Sequence, residues 1–163
     1  MPLTYPIIEE LFMAPGPSWC FASFAPRPFS FWLDSGMDPQ KLGRWSFMGA
    51  DPFLVMRSRG EEITLIREGR EIKRPGNPFD VLGELLKQYS LEKNQSGIPF
   101  TGGAVGYFSY DLCHFIEKLP AKAVDDLNLP ESYLCFYDAL VAFDHRENRA
   151  YIISTGFPET DET

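Results

Sequence analysis

The chain has 163 residues, 44% apolar and 15% aromatic, which is material for one domain over residues 1–163 that buries roughly 70% of its unfolded surface. Fifteen basic against 23 acidic residues leave a formal net charge of −8, which repels nucleic-acid phosphates. No apolar run reaches the ~18 residues of a membrane span and the N-terminus has no secretory pattern, so the expectation is a cytoplasmic protein with neither nucleic acid nor membrane as partner.

The first thirty residues are rich in proline and aromatics, and residues 7–12 read as a short helical turn. Residues 29–34 read as a strand that delivers Asp34, Ser35 and Gly36 into a loop. Asp38-Pro39 resembles an N-cap followed by proline at the first helical position, so a short helix ended by Gly43 is expected there. Residues 45–48 and 53–58 read as strands. Gly60 and Gly69 then punctuate a meander in which Ile63, Leu65 and Ile72 should point inward. Arg57, Arg59, Arg67, Arg70, Lys73 and Arg74 cluster here, but Glu61, Glu62, Glu68 and Glu71 are interleaved with them. That is the pattern of a solvated face, not of a phosphate-binding patch.

The clearest helix covers residues 78–89. Asn77 caps it, Pro78 suits the first turn, and Asp80 favours the positive end of the dipole. Phe79, Leu82, Leu85, Leu86 and Tyr89 fall on one face at helical spacing, so the helix should lie across a sheet. Residues 90–99 are polar and loop-like. Gly102, Gly103 and Gly106 follow, three glycines in five positions, and then Tyr107, Phe108 and Tyr110 with apolar area to bury. A dinucleotide fingerprint would need glycine where Thr101 stands, and a phosphate loop would need Lys-Ser/Thr where Tyr107-Phe108 stands. The glycines therefore mark a strand with close backbone approach. Residues 111–119 read as a short helix burying Leu112, Phe115, Ile116 and Leu119, and residues 121–130 as an acidic connection. Residues 133–143 and 149–154 read as a long hairpin around residues 144–148. The resulting fold class is α+β, a largely antiparallel sheet with one or two packed helices.

Chemistry-bearing residues are sparse. Cys20, Cys113 and Cys135 are odd in number and widely spaced, so reduced thiols are expected rather than a disulfide framework or a metal site. Cys113 and His114 are adjacent, a poor metal pair, and His145 falls in a turn. No nucleophile–base–orienter set can be assembled, which points away from a self-contained enzyme.

Five segments, in order and at characteristic spacing, carry a family resemblance: Leu33-Asp34-Ser35; Gly43-Arg44-Trp45-Ser46-Phe47-Met48-Gly49-Ala50-Asp51-Pro52; Gly102-Gly103-Ala104-Val105-Gly106-Tyr107-Phe108-Ser109-Tyr110-Asp111; Glu117-Lys118-Leu119-Pro120; and Phe143-Asp144-His145. Together they resemble the N-terminal region of component I of anthranilate synthase and aminodeoxychorismate synthase (para-aminobenzoate synthase component I). The resemblance implies a domain without chemistry of its own. The family's chorismate and Mg²⁺ sites lie in a C-terminal chorismate-binding domain that nothing in this chain matches, so no cofactor is expected here. It also implies two partners, that C-terminal domain and a glutamine amidotransferase component that supplies ammonia. The family domain's own ligand is tryptophan, and matching positions place its site at Asp34, Ser35, Leu42, Gly43, Arg44 and Trp45. Asp34 stands where feedback-regulated anthranilate synthases carry Glu, which favours the aminodeoxychorismate branch. The anthranilate branch with tryptophan feedback and a stand-alone amino-acid-binding module are the alternatives.

Overall fold

Two five-stranded sheets, paired antiparallel throughout, make up the framework. The computed structural model describes residues 6–12, 16–35, 37–91, 96–120 and 125–159. The first sheet has the order β1 (Ile7–Leu11), β10 (Arg149–Ser154), β9 (Ala139–Asp144), β3 (Trp45–Gly49), β2 (Phe31–Leu33). The second has the order β6 (Arg70–Pro75), β5 (Glu62–Arg67), β4 (Leu54–Arg59), β8 (Ser132–Tyr137), β7 (Gly103–Phe108). The α+β, antiparallel expectation holds, with two sheets in place of one.

What joins the sheets corrects the expected long hairpin. β8 and β9 are separated by Asp138 alone, yet they lie in different sheets. β3 and β4 make the same passage alongside them, β3 paired with β9 and β4 with β8. Asp138 marks the switch: its carbonyl accepts from the Thr155 N–H at 2.7 Å, and the Phe53 N–H donates to the Phe136 carbonyl at 3.0 Å. The true hairpin is β9–β10, closing on residues 145–148. An apolar run continuing across a bend looks in sequence like one strand, because both halves are buried.

Each sheet has one helix on one face. α2 (Pro78–Gln88) starts as expected, with the Asn77 side chain accepting the Phe79 N–H at 2.9 Å and Asp80 in the first turn. It presses Val81 and Leu85 onto Leu54, Met56, Ile63, Leu134 and Phe136, with Leu82 and Tyr89 partly buried beside them. Phe79 and Leu86 sit at the rim of that stripe and stay exposed, against expectation. α1 (Pro17–Phe24) brings Cys20, Phe21 and Phe24 against Met48, Val141, Phe143 and Ala150 of the first sheet. That sheet's opposite face, with Phe47, Leu140, Ala142 and Ile153, is covered by Ile98 and Phe100. Phe31 reaches the second sheet, its ring 4.6 Å from that of Tyr137.

Other expectations change for reasons of position. Residues 7–11 pair with β10 as a strand rather than forming a helical turn. β2 is shorter than residues 29–34, since Phe29 has φ 52° and cannot continue an extended run. Ile72 lies on edge strand β6 and is exposed, although it faces the same side as the buried Ile63. β7 is the other edge, so Tyr107 and Phe108 are exposed at its end and Tyr110 beyond it. Residues 110–115 form a 3₁₀ helix that buries Leu112 but leaves Ile116 in solvent. Part of the acidic connection, residues 121–124, lies outside the described residues. Four of the six residues of the basic cluster are charge-paired, Arg57 with Glu71, Arg59 with Asp125, Lys73 with Glu62 and Arg74 with Glu84. Burial pushes the Cys20 and Cys135 thiols up, and pushes the Tyr137 phenol far up while its hydroxyl donates to the Phe29 carbonyl at 2.5 Å. These are groups held neutral in a core.

Candidate functional site

β2 runs antiparallel to β3, with Leu33 opposite Phe47 and Trp32 opposite Met48. The next residue, Asp34, therefore arrives beside Ser46 as the chain leaves the sheet. Ser46 is fully buried and its hydroxyl donates to Asp34 Oδ1 at 2.7 Å. Ser46 Oγ also lies 2.7 Å from His145 Nε2 and accepts the Ser35 N–H at 3.3 Å. His145 is held there by its own N–H, which donates to the Arg44 carbonyl at 2.8 Å.

The chain then loops out and returns. The expected helix from Asp38 does not form. Asp38 has φ 56°, a left-handed conformation outside the extended range of an N-cap, and its carbonyl accepts from the N–H groups of Lys41 and Gly43 at 3.0 Å each, closing a tight turn. Gly43 is the pivot of that turn. A Cβ there would sit 1.7 Å from the Met37 carbonyl oxygen and 2.3 Å from that of Ser35, so only hydrogen fits. Asp34, Ser35, Met37, Leu42 and Gly43 line an open depression of about 380 Å³. Met37 and Leu42, 89% and 95% exposed, give it a solvent-facing apolar wall.

Of the six residues expected to form a ligand site, four (Asp34, Ser35, Leu42 and Gly43) thus converge on one depression. The remaining two are engaged elsewhere. The Arg44 guanidinium forks onto the buried Asp144 carboxylate, at 3.1 and 2.6 Å, and lies 5.1 Å over the Trp45 ring. Trp45 packs with Phe47 and Tyr151 on the sheet face opposite Ser46. Ser46 and His145 are the members that sequence reasoning missed. They are 99 positions apart, and only the β3–β9 register, which sets Ser46 against Phe143, brings them together. Among the described residues no three His, Cys, Asp or Glu side chains converge as metal ligands, and no helix is long and apolar enough to cross a membrane. What the depression itself presents is a carboxylate and a hydroxyl beside two exposed apolar side chains.

No protein-family model matches the chain. Individual proteins do. Anthranilate synthase component 1 of Acetivibrio thermocellus is 36% identical over 135 residues, which is 82% of this chain and 27% of that protein. Aminodeoxychorismate synthase component 1 of Bacillus subtilis is 32% identical over 119 residues, 72% of this chain and 25% of that protein. The crystal structure of anthranilate synthase component I from Streptococcus pneumoniae shares the fold, with a TM-score of 0.58 at 22% identity over 74% of this chain and 26% of that one. This chain is homologous to component I of the anthranilate and aminodeoxychorismate synthases. It spans about a quarter of the length of these relatives.

Proposed function

We propose that the chain is a non-catalytic domain of a chorismate-using component I protein, and that the depression at residues 34–43 holds the free amino acid L-tryptophan as a structural or regulatory ligand. The observation that carries this reading is the pairing, in one depression, of a carboxylate with an apolar wall. Among the described residues no hydrogen bond reaches the second oxygen of Asp34. That oxygen is a ready acceptor for an α-ammonium group, with the exposed Ser35 beside it for the headgroup and Met37 and Leu42 against the indole. Chorismate, the Mg²⁺ that such chemistry employs and the ammonia-supplying amidotransferase belong, on this reading, to the remainder of a component I assembly; the described residues here offer Mg²⁺ no ligand cluster.

The aminodeoxychorismate branch is favoured by the shorter Asp34. The anthranilate branch is the second reading, supported by the 36% identity to an anthranilate synthase component. The product made from chorismate by the polypeptide carrying this domain decides between them. Titration of L-tryptophan into the protein, followed by calorimetry, tests the ligand. Saturable binding is expected. Ser35→Ala should weaken it roughly tenfold or more, the worth of one hydrogen bond to a charged group, with the melting temperature unchanged because Ser35 is exposed. Equal affinity in the variant would return Ser35 to a turn residue, and the absence of any saturable heat would sink the amino-acid reading.

A further inference from the structure

We propose that Ser46 and His145 are positioning residues that lock the Asp34 carboxylate as the ammonium acceptor of the candidate site. The ligand in this statement rests on the amino-acid reading; the locking does not, because it follows from proton counting. A serine hydroxyl has one proton and two lone pairs. The Asp34 oxygen takes the one proton of Ser46. Both lone pairs then remain for donors, and the two groups beside them are the Ser35 N–H at 3.3 Å and His145 Nε2 at 2.7 Å. His145 must therefore present Nε2–H. The chain runs one way, from imidazole to hydroxyl to carboxylate.

Its members differ in burial. Ser46 is fully buried inside β3, between strands β2 and β9. His145 is half-buried, hooked to the Arg44 carbonyl, and follows Asp144, whose carboxylate is itself clamped by Arg44. Asp34, by contrast, is exposed at the end of a three-residue strand. Left alone, such a side chain would populate several rotamers, and a ligand would have to order it on binding. Held through Oδ1, it keeps one oxygen fixed in the framework and presents the other, which no hydrogen bond among the described residues reaches, to the ligand. This is pre-organisation: the ordering cost is met by folding instead of by the ligand. The arrangement contains the side-chain types of a hydrolytic triad, but in another order. Serine sits in the middle and is fully buried, so it serves as a connector and not as a nucleophile.

The test reads the proton first and the ligand second. In the ¹⁵N-labelled chain, ring-nitrogen chemical shifts should give the Nε2–H tautomer for neutral His145, and Ser46→Ala should relax that preference. Affinity for L-tryptophan should fall about tenfold in His145→Leu, which removes the donor. It should return to within about threefold of the native value in His145→Gln, whose amide N–H₂ can donate from a similar place. Indole-3-propionate, which lacks the ammonium group, should bind all these forms alike. An Nδ1–H tautomer, a tautomer indifferent to Ser46→Ala, or equal losses in the Leu and Gln variants would each overturn the proposal. Absence of tryptophan binding by the native chain would overturn the amino-acid reading instead, and the tautomer would still decide whether Asp34 is held.

Discussion

Replacing Asp144 with alanine should destabilise the fold by about 3 kcal/mol, within the range for removing one partner of a buried charge pair. For a chain of this size, with a urea dependence of roughly 2 kcal/mol per molar, the unfolding midpoint should fall by about 1.5 M. The side chain is only 2% exposed. It accepts from Arg44 Nε and Nη2 at 3.1 and 2.6 Å, and from the N–H groups of Arg146 and Glu147 at 3.0 and 3.2 Å. Alanine would leave the guanidinium without its fork and the turn after β9 without its acceptor. Arg44 is partly exposed and can rehydrate, which keeps the loss near the lower end of that range. Asp144→Asn, with one oxygen left and an amide against the guanidinium, should fall between.

The pH dependence has a definite sign. Burial pushes the Asp144 carboxyl up, but the Arg44 bond and the two turn N–H groups outweigh it and leave the carboxyl below the ordinary range. A carboxylate whose folded pKa is depressed contributes fully above its unfolded value, about 3.9, and loses that contribution as pH falls through the folded one. The gap between the native chain and Asp144→Ala should therefore be full at pH 7 and start to narrow only below about pH 4. Urea midpoints measured across pH 3 to 8 check this. A constant gap down to pH 3 would mean that the carboxylate acts only through shape.

Local rules were legible in the sequence wherever a residue's neighbours in space are its neighbours in the chain. Asn77, Pro78 and Asp80 announce α2, and the structure places the cap where they do. Arg44 and Trp45, expected in the ligand site, stack on each other instead, with the guanidinium 5.1 Å over the ring. Asp34, Ser35, Leu42 and Gly43 converge because a single turn pivoting on Gly43 brings them back together. Failures came where pairing decides. Residues 7–11 have little intrinsic strand character in Glu9 and Glu10, and become a strand because the edge of β10 is open to them. Asp138 looks like one more residue of a strand, yet it is where the chain changes sheets. Tyr107, Phe108 and Ile72 are apolar residues on edge strands, and composition cannot say which strand is last in a sheet. The Ser46–His145 contact was out of reach for the same reason. Register is a long-range property.

Gly106→Ala should be strongly destabilising, because the added methyl meets the backbone of a central strand. Gly106 lies opposite Leu134 in the β7–β8 ladder. A Cβ on it would stand 1.9 Å from the Tyr133 carbonyl oxygen and 2.9 Å from the Leu134 Cα. Both obstacles are backbone of β8, the strand that also pairs with β4, so no side-chain rotation relieves the clash. One strand must move, and the strand free to do so is β7, at the edge. A loss of about 4 kcal/mol is expected, above the usual cost of overpacking because nothing soft can yield. Hydrogen exchange should locate it: amides at the β7–β8 contact should lose protection, while those of β4 and β5 under α2 keep theirs. Gly83→Ala in α2 is the control, since a Cβ there meets nothing within 4 Å; it should stabilise by about 0.5–1 kcal/mol through helix propensity. A Gly106→Ala midpoint equal to the native one would show that β7 can stand off without cost. The glycine would then have no steric reason to be there. If the loss instead spreads evenly over both sheets, β7 is integral to the core and the edge is not a separable flap.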